Sequence, residues 1–358
     1  MAWLRAARVG LLTHDACHTA KGIPTRRALA AALGPGLVRL FTPEHGIAAA
    51  APAGVGVADG HDPETGVQLA SLYGPRLDPD VRMLADLDVI VVDLRDVGVR
   101  CFTYAATAAR LIGAAARLTD GPAILVCDRP NPLGPATAGP PLDPALRSLV
   151  AWFDVPFVHG RTLGGLLALA TTGQGAGRFE TIPGDPVLRS PTISWVAPSP
   201  ALDHPEAVAL YPGLVLFEGT NLCEGRGTPL PFRSIAAPWL DTAALSAEIA
   251  GWDMPIEATP SALTPAAGRY AGDNLPAIAL SLSRNVAFDA LAFGVRLLCA
   301  IAARHSEFAW LRRDDSAFAA PGSKGGYVID WLMGSRCLRE AMAHGDDAES
   351  ILARWCAA

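Results

Sequence analysis

Residues 89–94 read Val89-Ile90-Val91-Val92-Asp93-Leu94. Four β-branched apolar residues follow one another and then meet a carboxylate. An unbroken run of this kind suits a strand covered on both faces, because a half-exposed strand would alternate with polar residues. Its flanks decide the fold. Residues 79–87 before it and the alanine-rich stretch 103–118 after it read as helices. Moving outward, strands are predicted at 9–13, 37–41, 123–127 and 179–182, with helices at 25–33 and 163–170. Strands alternating with helices predict an α/β fold, a Rossmann-like doubly wound and mostly parallel sheet.

Each of the first four strands ends in polar residues. They are Thr13-His14-Asp15, Thr42-Pro43-Glu44-His45-Gly46, Asp93-Leu94-Arg95-Asp96 and Asp128-Arg129-Pro130-Asn131. Ligands of open parallel sheets bind beyond the carboxyl ends of strands, so a polar crevice is expected there. No GxGxxG follows the first strand, which argues against a dinucleotide, and no cofactor is expected.

The chain has 358 residues and suggests two domains, drawn at 1–203 and 204–358. The Pro-rich passage 191–205 is the linker candidate. The second half reads as a smaller α/β unit, with helices near 242–249, 288–303, 328–333, 338–343 and 348–356 and a strand at 277–282. Net charge is −6, from 29 basic and 35 acidic residues, and no basic run appears, so nucleic acid is not an expected partner. Seven scattered cysteines contain no CxxC pair. No membrane span and no signal peptide are read, so the expected location is cytoplasmic.

Residues 217–228, FEGTNLCEGRGT, crowd Glu218, Glu224, Asn221 and Arg226 among three glycines. The apolar run Leu214-Val215-Leu216-Phe217 is expected to deliver them as a strand ending at a loop. The functional reading is a polar substrate loop; the structural one is a Glu218–Arg226 salt bridge bracing a turn. Glu44 fits a tight turn holding a carboxylate, or a cap. Asp96 and Arg100 fit a surface i,i+4 pair or a binding site. Arg129 either pairs with Asp128 or clamps an anion. Tyr104 offers a hydroxyl or packs in a helix, and His159 is a ligand or a hydrogen-bonded structural histidine. HExxH and GxSxG are absent; Asp93, Asp96 and Asp128 could assemble a divalent site, but no spacing requires one, and no metal is expected. Carboxylate chemistry remains, as in glycoside hydrolases.

Taken together, VGLLT (9–13), PEHG (43–46), SLYG (71–74), DVGVRCFTY (96–104), DRPNPLG (128–134), HG (159–160), SP (199–200), LYPG (210–213), EGTNLCEGRGT (218–228), AAPW (236–239) and YAG (270–272) resemble the peptidoglycan exo-β-N-acetylmuramidases of the NamZ type. The resemblance implies removal of N-acetylmuramic acid from the non-reducing end of peptidoglycan fragments, at a site in a cleft between two domains. It implies a small carbohydrate as partner, a muropeptide or a disaccharide containing muramic acid. Glu44 would be the general acid/base, a role that burial favours. Glu218 or Glu224 would be the second carboxylate. His45, Asp96, Arg100, Tyr104, Asp128, Arg129, Asn131, His159, Asn221 and Arg226 would bind substrate, with Arg129 or Arg226 on the lactyl carboxylate. Departures from the family pattern fall at His14-Asp15, Arg95, Ala201, 47–50 and 274–276. They leave open an exo-glycosidase for another amino sugar, or a sugar-binding relative without catalysis.

Overall fold

In the computed structural model, which describes residues 2–171, 179–184, 195–283, 288–313 and 325–356, the chain forms two compact units. The first comprises Met1–Gly98, Phe102–Pro135 and Gly160–Pro200; the second comprises Val99–Cys101, Ala136–His159 and Ala201–Ala358.

The first unit is built on seven strands: β1 (Val9–Thr13), β2 (Leu37–Thr42), β3 (Gly60–His61), β4 (Gln68–Ser71), β5 (Val89–Asp93), β6 (Ala123–Asp128) and β7 (Phe179–Pro183). Their order in the sheet is β3-β4-β2-β1-β5-β6-β7. Every pairing is parallel except β3 with β4. Setting aside the two-residue β3, the parallel strands run third, second, first, fourth, fifth, sixth, the order of a Rossmann-type sheet. The order reverses between β1 and β5, which pair in register from Val9↔Val89 to Thr13↔Asp93. All ten residues of these two strands are buried. Val9, Leu11, Val89 and Val91 point into one core with Leu29 and Leu33 of α1 (Thr25–Leu33). The helices α2 (Thr103–Ala116) and α3 (Leu163–Thr171) follow β5 and precede β7 and pack on each other. Right-handed crossovers put them on the face opposite α1.

The stretch 79–87 forms only a 3₁₀ turn at Val81–Met83. Asp80 spends its carboxylate on the Arg82 amide, and Asp86 accepts from Arg8 and Arg39. Aspartates engaged this way favour caps and turns over helix interiors.

The second unit contains α4 (Pro205–Leu214), β8 (Ser234–Ala236), α5 (Thr242–Ala250), β9 (Ile256–Leu263), β10 (Leu275–Leu282), α6 (Ala290–Arg304), α7 (Val328–Met333), α8 (Cys337–Ala343) and α9 (Ala348–Cys356). Its sheet is antiparallel, ordered β8-β10-β9. Pro260 lies in β9, an edge strand, where a missing N–H is tolerated. The expected strand at 214–217 does not form. Leu214 ends α4 and Val215–Gly219 is a 3₁₀ turn, with Leu214, Val215, Leu216 and Phe217 all buried. A short apolar run cannot by itself separate a strand from a buried helical turn. The start signal was present, with His204 capping the Glu206 amide and Pro205 in the first turn. The linker candidate therefore ends in a helix start, and its residues 191–194 lie outside the described residues.

Helices α4 and α6 meet through glycine. A Cβ on Gly213 would lie 2.0 Å from the Ala290 carbonyl oxygen, and one on Gly294 2.4 Å from the Gly213 Cα. Backbone cannot yield as a side chain can. Gly213→Ala should therefore lower stability by about 1–3 kcal/mol, despite alanine's better helix propensity. A urea midpoint equal to or above that of the parent protein would refute this packing.

Candidate functional site

The loop after β2 is shaped by its backbone. His45 takes φ 69° and Gly46 φ 73°, so the chain turns sharply just past Glu44. A histidine in the left-handed region is strained, and the ring nitrogen Nδ1 contacts the Ala51 carbonyl oxygen at 2.6 Å, holding it there. Glu44 is buried, 4% exposed. Its Oε1 accepts from the Gly54 amide at 2.8 Å and its Oε2 from the Thr103 hydroxyl at 2.8 Å. Tyr73, just beyond β4, brings its hydroxyl to the same carboxylate. Burial first, and then the Glu44 charge and this hydrogen bond, push the Tyr73 phenol above its usual value. Tyr104, on the first turn of α2, is fully buried and donates to the Pro198 carbonyl. Its ring meets His14 edge-on at 4.9 Å and His45 at 6.4 Å. Burial and then the charge of Glu44 hold its hydroxyl protonated.

The reversal point of the sheet adds a second cluster. Asp93, 1% exposed, receives Arg129 Nε at 2.7 Å and Nη2 at 2.9 Å, plus the Thr25 hydroxyl at 2.6 Å. Arg129 also donates to the His18 carbonyl at 2.9 Å. Burial opposes the Arg129 charge, but Asp93 outweighs it and raises the pKa. His14 accepts the Arg95 amide on Nε2 at 3.2 Å, so that nitrogen carries no proton. Asp15 turns away to Arg26 at 2.8 Å; that buried guanidinium also binds Asp62 at 2.9 Å and Glu64 at 2.8 Å.

In the second unit, Arg226 Nη1 contacts Glu218 at 2.5 Å and Glu224 at 3.1 Å, and its guanidinium lies 4.7 Å from the centre of the Phe232 ring. Burial works against this cation, and Glu218 followed by Glu224 overcome it. Cys101 lies 3.8 Å from the Tyr211 hydroxyl, its thiol pushed up to about 12 by burial and then by Glu218. The Glu218–Arg226 bridge expected of a braced turn is present, with Glu224 as a third member.

The remaining candidates are hydrogen-bonded to neighbouring groups or buried. Asp128 accepts from the Gly164 amide and the Thr162 hydroxyl, so it anchors the start of α3 instead of pairing with Arg129. Asn131 bridges the Arg161 carbonyl and the Leu133 amide. Asn221 bridges Glu307 and Ala309. Asp96 accepts the Gly98 amide at 2.8 Å. Arg100 is buried, not a surface partner of Asp96, and donates to the carbonyls of Pro140, Val155 and Met333. His159 is 1% exposed. Tyr73 and Thr103 escaped the sequence reading as partners of Glu44. SLYG stood only as a family motif, because the four-residue β4 that ends just before Tyr73 was not recognised as a strand. Among the described residues, no group of three or more His, Cys, Asp or Glu is arranged to hold a metal, so Asp93, Asp96 and Asp128 do not assemble one. No described helix is long and apolar enough to cross a membrane.

Burial, followed by Arg95 and Arg129, lowers the His14 pKa well below the ordinary 6.5. A depressed histidine is neutral when folded and takes up a proton on unfolding. Its contribution is therefore present above pH 6.5 and is lost as pH falls below it. His14→Asn should flatten the acid side of a plot of melting temperature against pH, removing up to about 1.4 kcal/mol per pH unit below 6.5. Parallel curves for the two proteins would show that His14 carries no such linkage.

Comparison with known proteins adds a second line of observation. A family model described as "Exo-beta-N-acetylmuramidase NamZ, N-terminal" matches residues 9–206, and its C-terminal counterpart matches 209–358. The chain is 31% identical over 324 residues to the peptidoglycan β-N-acetylmuramidase NamZ of Bacillus subtilis (strain 168), covering 88% of this chain and 75% of that one. Crystal structures of two DUF1343 family proteins from Bacteroides fragilis NCTC 9343 share the fold. The first has TM-score 0.78 at 24% identity, covering 99% of this chain and 94% of its own. The second has TM-score 0.69 at 26% identity, covering 99% and 91%. With both halves matched in order along the chain, the protein belongs to the NamZ exo-β-N-acetylmuramidase family.

Proposed function

We propose that this protein is a glycoside hydrolase that removes β-linked N-acetylmuramic acid from the non-reducing end of peptidoglycan fragments. The observation that carries the reading is Glu44. It is a buried carboxylate at the carboxyl end of β2, fixed by the Gly54 amide and the Thr103 hydroxyl and faced by the Tyr73 hydroxyl. No described arginine or lysine forms a salt bridge with it, and it is 4% exposed. Family membership supports the same chemistry.

In this reading Glu44 protonates the glycosidic oxygen as it leaves and then takes a proton from the incoming water. Thr103 and the Gly54 amide hold the carboxyl at one angle, so that proton transfer needs no rearrangement. Tyr73, kept protonated by its surroundings, can donate to Glu44 or to a sugar hydroxyl. The second carboxylate is taken from Glu218 and Glu224. Both contact Arg226, at 2.5 and 3.1 Å.

A chromogenic β-N-acetylmuramide tests this. The protein should release the chromophore, and Glu44→Gln should lower kcat at least about 100-fold at unchanged melting temperature. Of Glu218→Gln and Glu224→Gln, the variant at the reacting carboxylate should lose kcat more than it gains KM. Undiminished turnover in Glu44→Gln would sink the assignment, and binding of N-acetylmuramic acid without turnover would make the protein a sugar binder.

A further inference from the structure

The first unit holds one buried cation that its neighbours leave uncompensated. Arg95 lies two residues beyond the end of β5, at the reversal point of the sheet, and is 6% exposed. Its amide serves His14. Its guanidinium enters no ion pair or hydrogen bond among the described residues, and its Nε is buried without a partner. Buried guanidinium groups are normally paired, since an unpaired one forfeits its hydration.

Each nearby group that could neutralise it is otherwise engaged. Asp93 spends both oxygens on Arg129 and Thr25. Burial keeps the Cys17 thiol protonated. Burial and the surrounding cations keep His14 and His18 neutral, and Arg129 adds a like charge. Both arginines that could have been assigned to an anionic substrate are also committed, Arg129 to Asp93 and Arg226 to its two glutamates. His14 and Tyr104 lie between the Arg95 backbone and Glu44. His14 accepts the Arg95 amide, Tyr104 lies edge-on to His14, and the Glu44 charge is felt at Tyr104.

We propose that Arg95 is the anion-recognition residue of this site, forming a forked contact with a carboxylate or phosphate carried by the sugar on which Glu44 acts. This rests on the glycosidase reading of Glu44. On a muramoyl sugar the anion is the lactyl carboxylate; on a phosphorylated sugar it is the phosphate. The structure would thus keep an unpaired charge that the substrate completes.

The test uses the full chain with Arg95→Gln and Arg95→Lys, on chromogenic β-N-acetylmuramide and on the β-N-acetylglucosaminide, which lacks the lactyl group. Inhibition by N-acetylmuramic acid and by its 6-phosphate is measured in parallel. Arg95→Gln should reduce kcat/KM on the muramide on the order of 10- to 100-fold, mainly through KM, and at least tenfold more than on the glucosaminide. Arg95→Lys should recover part of the loss. The melting temperature of Arg95→Gln should not fall, because an unpaired buried charge is removed. If discrimination is lost only toward the 6-phosphate, the phosphate is the anion. Equal losses on both sugars with a lower melting temperature, or no change with any ligand, overturn the proposal. If the parent protein cleaves neither sugar, the Glu44 reading fails by itself. Calorimetry of N-acetylmuramic acid against N-acetylglucosamine then decides: a preference for the acid that disappears in Arg95→Gln supports the anion site, and equal binding refutes it.

Discussion

Asp93 ties together three parts of the first unit. It ends β5, its carboxylate grips the guanidinium from the loop after β6, and it receives the hydroxyl of Thr25, the first residue of α1. Arg129 carries the connection on to the His18 carbonyl, in the loop between β1 and α1. The carboxyl ends of β5 and β6 are thus stapled by one bidentate pair at 1% exposure on the acid side. Breaking a buried pair by removing one member typically costs about 3–5 kcal/mol, because the other charge is stranded. The pair need not be worth that much over an apolar substitute. What it gives is position: the ends of β5, β6 and the β1 loop can adopt only one mutual arrangement.

That arrangement explains why the remaining polar groups sit where they do. Once Asp93 is saturated, Arg95 has no acid to turn to. Once Asp15 is drawn to Arg26, it too is removed from the crevice. The acids at the strand ends are therefore mostly absorbed by scaffolding, and the buried Glu44 carboxylate is surrounded by an amide, a threonine hydroxyl and a tyrosine. These donors fix the carboxylate in space.

The sheet was legible because its central strands are continuous apolar runs, and the sequence reading of β1 and α1 matches the structure at both ends. Legibility failed where pattern and burial diverge. Leu214–Phe217 looked like a strand because a buried helical turn next to a 3₁₀ turn is equally apolar. The four-residue β4 and the polar, proline-bearing β9 carried too little apolar alternation to stand out. At the site, the strand-end pattern singled out Glu44, and the structure places it buried just past β2. Partnerships were not legible. Arg129 was weighed against its chain neighbour Asp128, yet it pairs with Asp93, 36 positions earlier. Adjacent residues at a strand end point in opposite directions, so sequence proximity favours the wrong partner.

The second unit solves a different electrostatic problem. Glu218 and Glu224 share one guanidinium, so the cluster retains one excess negative charge in a mostly buried setting. Phe232 lies against the Arg226 guanidinium, 4.7 Å to the ring centre. Such a cluster is poorly suited to hold a substrate anion, which would have to compete with two carboxylates already in contact. Glu218 has the shorter contact, at 2.5 Å against 3.1 Å, and Glu224 the more exposed side chain, at 11% against 6%. Arg226 thus holds Glu218 more closely and in a drier setting than it holds Glu224.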